Sequence, residues 1–71
     1  MNQYDRAVIV DILGNPGSTF NQVAYRCVDI APKQILEALV RLEGNCLRCV
    51  INGKYMITRA GYNAVQPKEV R

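Results

Sequence analysis

The chain has no histidine, an odd count of three cysteines, and no long apolar run. Each shortage removes a class of function. Cys46-Leu47-Arg48-Cys49 is formally a C-x-x-C, but zinc wants a second cysteine pair or histidines to complete four ligands. On a strand, moreover, Cys46 and Cys49 point to opposite faces and cannot share a metal. An odd count fits reduced thiols better than a disulfide framework. Cys27, Cys46 and Cys49 are therefore expected as small packed hydrophobes, with no metal and no cofactor. No plausible nucleophile–base pair, glycine-rich phosphate loop or carboxylate cluster is present, and no enzyme is expected. Asp5 and Asp11, at a spacing of six, share no helix face and are not a pair. No window approaches the ~20 apolar residues of a membrane span. The N-terminus lacks the pattern of a signal peptide, so a cytoplasmic protein is expected.

What is present suits one small domain. The 71 residues are 49% apolar, enough for a core near the lower size limit. There are no repeats, linkers or low-complexity tracts. The domain is expected over residues 1–66, with 67–71 a flexible tail. The net charge of +3 is unevenly placed. Residues 1–43 carry Arg6, Arg26, Lys33 and Arg41 against five acids, and all of the excess lies in the basic C-terminal part. Such an excess is compatible with a polyanion partner.

In chain order, Asp5 to Leu13 reads as a helix with core face Val8, Ile9, Ile12 and Leu13. Gly14 is available to end it. The β-branched run Ala7-Val8-Ile9-Val10 would also suit a strand, but the continuation Asp11-Ile12-Leu13 favours a helix. Asn15-Pro16-Gly17 is a turn by composition. Thr19 and Gln22 form a capping box for a second helix, whose stripe is Phe20, Val23, Ala24 and Cys27. Val28 to Ala31 break that period. Pro32 then opens a third helix, with stripe Ile35, Ala38, Leu39 and Leu42, closed by Gly44-Asn45. Two β-rich runs, Cys46–Ile51 and Lys54–Thr58, flank Asn52-Gly53, the strongest short hairpin signal. Thr58 can cap a last short helix through Gly61, Tyr62 and Val65, which Gly61 should weaken.

Two short helices joined by a tight turn look like a helix-turn-helix. The ending Tyr55-Met56-Ile57-Thr58-Arg59-Ala60-Gly61 is similar to the Tyr-x-Leu-Thr-x-x-Gly ending of many bacterial winged-helix regulators. Leu39-Val40-Arg41-Leu42-Glu43-Gly44-Asn45-Cys46-Leu47 resembles the exit of their recognition helix. Most of the chain, from about Asp5 to Val65, thus resembles the winged helix-turn-helix superfamily. The turn Val28–Ala31 departs from the pattern in length and lacks its glycine, and the wing is short.

The resemblance implies an α+β, mostly α fold: three helices, a two-stranded hairpin wing and a short C-terminal helix. It also implies a DNA-binding protein, a small transcriptional regulator of the size found in phages and plasmids. The third helix would lie in the major groove of double-stranded DNA, and the wing would touch the backbone. The residues this assigns to DNA are Lys33, Gln34, Glu37 and Arg41 on the third helix and Arg48, Lys54 and Arg59 on the hairpin and its exit. Tyr25 and Arg26 on the second helix complete the set. Glu37 and Arg41, spaced i, i+4, can equally form a surface ion pair, and Tyr25 can be a half-buried packing residue. A rival reading of another class is a protein–protein interaction module, using Leu36 and Val40 as an apolar arc. Useful specificity needs two domains on two half-sites. A homodimer through Ala7, Val10, Tyr62 and Val65 is therefore expected, against the alternative that Val10 packs under the wing.

Overall fold

The structure, a computed structural model, describes residues 1–65. The expected tail, with Lys68, Glu69 and Arg71, lies outside the described residues. The first helix, α1, spans Gln3–Gly14 and starts before the expected Asp5. Asn2 is the reason: its side-chain oxygen accepts the Asp5 N–H at 2.8 Å, satisfying a donor that a helix start leaves free. The inward face of α1 is Asp5, Val8, Ile9 and Ile12. Leu13, expected in the core, is 39% exposed, since it lies one step past a stripe that Asp5 extends in the other direction. Gly14 is the last helical residue, and the left-handed backbone falls instead at Gly17.

The second helix, α2 (Phe20–Arg26), has the expected capping box. Thr19 Oγ1 accepts the Gln22 N–H at 3.3 Å, and Gln22 Oε1 accepts the Thr19 N–H at 2.9 Å. Val23 is fully buried, with Phe20, Ala24 and Cys27 packed around the core. The third helix, α3 (Pro32–Leu42), opens on proline and buries Ile35, Ala38, Leu39 and Leu42 as its spacing predicts. It ends where Gly44 takes φ +87° and donates its N–H to the Leu47 carbonyl at 2.8 Å.

Strands β1 (Leu47–Val50) and β2 (Lys54–Ile57) form an antiparallel hairpin in which Leu47 faces Ile57 and Val50 faces Lys54. Both are shorter than the β-rich runs. At the start, the Cys46 N–H still bonds back to the Leu42 carbonyl at 2.9 Å. At the tip, Ile51 joins Asn52 and Gly53 in a three-residue 3-10 turn. Asn52 and Gly53 do take positive φ, 65° and 69°, as the Asn-Gly pair predicts. Cys46 is buried in the core and Cys49 is exposed.

The hairpin is rooted on both sides. The Gly17 N–H donates to the Tyr55 carbonyl at 3.0 Å, and the Tyr55 N–H donates to the Ser18 carbonyl at 2.7 Å, so the α1–α2 connection pairs with β2. Thr58 Oγ1 donates to the Asn45 carbonyl at 2.6 Å and accepts the Gly61 N–H at 3.1 Å, which starts the last helix, α4 (Arg59–Val65). Gly61 does more than weaken α4. Its backbone lies so close to Cys46 that an added Cβ would stand 2.2 Å from the Cys46 carbonyl oxygen.

The resulting fold is α+β and mostly helical, with four helices and one two-stranded hairpin among the described residues. Its core joins α1, α2 and α3 with Cys46, Leu47 and, from α4, Val65. Val65, expected on an outer dimer surface, is buried because α4 lies back across α1. Val10 is exposed and is not covered by the hairpin. No helix among the described residues is long and apolar enough to cross a membrane.

Candidate functional site

The outward surface of α3 follows from its buried stripe. At ~100° per residue, Lys33, Glu37 and Val40 fall within about 60° of one another, opposite Ile35, Ala38, Leu39 and Leu42. Lys33 and Glu37 are exposed, and Val40 is 65% exposed. Leu36 flanks this arc at 48% exposure. Gln34, expected on the same side, lies near its edge and is half-buried.

Arg41 occupies the other flank and turns away from the arc. Its Nη2 donates to Asp5 Oδ1 at 2.6 Å and its Nε to Asp5 Oδ2 at 3.4 Å. The expected alternative, an ion pair with Glu37 on the same helix, is not what forms. Asp5 stands on the inward face of α1 with little water to solvate it, so it draws the guanidinium across from α3. The hydrogen bond that Arg41 donates to Asp5 holds the Arg41 pKa above its ordinary value.

Arg26 is held the same way. Its Nε and Nη2 donate to Asp11 at 3.0 and 2.9 Å, and Nη2 also donates to Ser18 Oγ. Ser18 Oγ in turn donates to the Asn15 carbonyl. This side-chain chain ties α1, the following turn and α2 together, and the bond to Asp11 raises the Arg26 pKa. Its neighbour Tyr25 is not a packing residue, since it is 83% exposed.

The hairpin carries a second charged face. Residues directly opposite in an antiparallel pair share a face, and so do residues two apart. Arg48 with Met56, and Val50 with Lys54, therefore lie on one side, while Leu47 with Ile57, and Cys49 with Tyr55, lie on the side towards the core. Arg48 and Lys54 are both exposed, as is Arg59 at the start of α4. Among the described residues, Lys33, Arg48, Lys54 and Arg59 have no ion-pair partner; the salt bridges are Arg26–Asp11 and Arg41–Asp5.

The two carboxylates that hold these arginines were the residues missed by sequence reasoning. One signal was available: Asp5 continues the Val8, Ile9, Ile12 stripe at helical spacing, and an acid on a buried face needs a cation brought to it. A shallow groove of about 370 Å³ separates the start of α1 from the α2–α3 turn, lined by Gln3, Tyr4, Ala7, Asp29 and Ile30. With a carboxylate and no cation in its wall, it does not suit a polyanion. Comparison with protein-family models, curated proteins and solved structures gives no match.

Proposed function

We propose that the chain is a small sequence-specific DNA-binding protein of winged helix-turn-helix type, a transcriptional regulator that acts by occupying DNA without a cofactor. In this reading α3 enters the major groove and the β1–β2 hairpin is the wing. The observation that carries it is the division among the cations. Arg26 and Arg41 are engaged by Asp11 and Asp5, whereas Lys33, Arg48 and Lys54, like Arg6 on α1, are exposed and have no ion-pair partner among the described residues. Arg48 and Lys54 share one face of the hairpin as diagonal neighbours, where two cations can hold successive phosphates.

The start of α3 adds support. Ala31 supplies no side-chain cap, and Lys33 sits in the first turn, where the helix dipole opposes a cation. Pro32 has no N–H, and the Gln34 N–H already donates to the Ala31 carbonyl at 2.9 Å. The local cost is therefore offset when a phosphate meets the Lys33 N–H and its ammonium. The contact set of this reading is Lys33, Glu37, Arg48, Lys54 and Arg59 with Tyr25, while Arg26 and Arg41 become framework residues. Specific binding takes a homodimer, for which Ala7, Val10 and Tyr62 are the available apolar residues.

Binding to a fluorescent duplex, measured across a salt series, tests the reading. With three or four phosphate contacts, log K against log salt should fall with a slope of about −3. Lys54→Ala and Lys33→Ala should each flatten that slope by about one unit, on every sequence alike. Arg41→Gln should lower thermal stability and leave the slope unchanged. No binding to duplex DNA at low salt would end the proposal. The second reading, a protein-interaction module on the same fold, is favoured by one observation: the exposed pair Leu36 and Val40 flanks an acid, Glu37.

A further inference from the structure

We infer that α3 selects thymine through its C5-methyl group, with Leu36 and Val40 as the residues that read it. The inference rests on the DNA-binding reading above and names the base that this surface accepts. Leu36 and Val40 are one turn apart and about 40° apart around the helix, so their side chains form one apolar ridge. They are 48% and 65% exposed in a helix whose core face is already complete. Packing within the domain gives no reason for them to be apolar.

The floor of the major groove offers hydrogen-bond donors and acceptors on every base and one apolar group, the thymine methyl. Leucine and valine carry no polar side-chain atom. Pressed against guanine or cytosine they would strip water from groups such as O6 or N4 and give nothing back, which penalises those bases. Against thymine they remove a methyl from water instead. Arg41 is the one long cation that could have reached guanine from this half of α3, and Asp5 holds it aside. Glu37, on the same arc, opposes the guanine acceptors by its charge and accepts from an amino group of adenine or cytosine. Lys33 at the start of α3 and Arg48 and Lys54 on the hairpin supply the attraction to phosphate that the ridge lacks.

Uracil is the clean probe, because it differs from thymine by that methyl alone. The protein is first used to enrich binders from a pool of randomised 20-base-pair duplexes. The enriched duplex is then synthesised with thymine and with uracil throughout. Wild type should bind the uracil duplex about fourfold more weakly for each contacted methyl removed. The combined variant Leu36→Ala, Val40→Ala should bind both duplexes alike, and since both residues are exposed, its circular dichroism should match wild type. Equal binding of the two duplexes by wild type would overturn the inference and leave the proposed function standing. A thymine preference that survives in the combined variant would also overturn it. Failure to enrich any duplex at low salt would defeat the DNA-binding reading itself, and this inference with it.

Discussion

Cys27 and Tyr55 each give up part of their water to the core, and burial is the largest reason why both pKa values rise. For an acid, a raised folded-state pKa means that the folded chain keeps its proton longer than the unfolded one. Stability is then unaffected below the unfolded pKa and falls as pH climbs past it. The urea midpoint should therefore be flat near neutrality and decline from about pH 9 upward, through the ordinary thiol and phenol ranges. Urea melts at pH 7, 9 and 10 check this, and a midpoint that rises across the series would contradict it. Under native conditions a thiol reagent should modify exposed Cys49 first and half-buried Cys27 more slowly. It should reach Cys46 only on unfolding.

Among the elements, α4 depends on a residue that helix propensity alone would replace. Alanine is the better helix former by about 1 kcal/mol, yet Gly61→Ala should destabilise the domain by about 1–3 kcal/mol. The added methyl would meet the Cys46 carbonyl at 2.2 Å, and that backbone is fixed by its own bond from Thr58. Gly53→Val should also destabilise, by about 1–2 kcal/mol, for a different reason. Nothing lies within 4 Å of a Cβ at Gly53, so the cost there is its φ of +69° alone. Chemical denaturation of the two variants checks both. The same contrast marks what could be read from the sequence. The capping box of α2, the stripe of α3 and the positive φ at Asn52-Gly53 are each specified within a few residues, so periodicity and turn chemistry expose them. The close approach of Gly61 to Cys46 is a tertiary fact with no local signature, and the sequence offered only its propensity cost.

At the scale of the whole molecule, the pairs Asp5–Arg41 and Asp11–Arg26 show the same limit. Each joins elements distant in sequence, so the exposed face of α3 was legible from its period while the removal of Arg41 from it was not. Gln34 near the edge of that face was misjudged less severely, because an arc has no sharp boundary. For the proposed homodimer, burial of Val65 leaves Val10 and Tyr62 as the large apolar groups of the expected surface, with Leu13 of α1 also exposed. Their area, at ~25 cal/mol per Å² before association costs, must carry the contact. Sedimentation should show a dimer at high micromolar concentration that Val10→Lys disperses, and a monomeric wild type would exclude it.

The pairing of Gly17 and Ser18 with Tyr55 has a consequence for solubility. With β1 on one side and this segment on the other, β2 is shielded along both flanks at Tyr55. The open edge of the hairpin therefore belongs to β1, and the exit of α3 already covers its first residue, through the Glu43–Leu47 bridge. What is left is a stub of three residues, Arg48 to Val50, too short to template a neighbouring chain and led by a charge that repels another copy of itself.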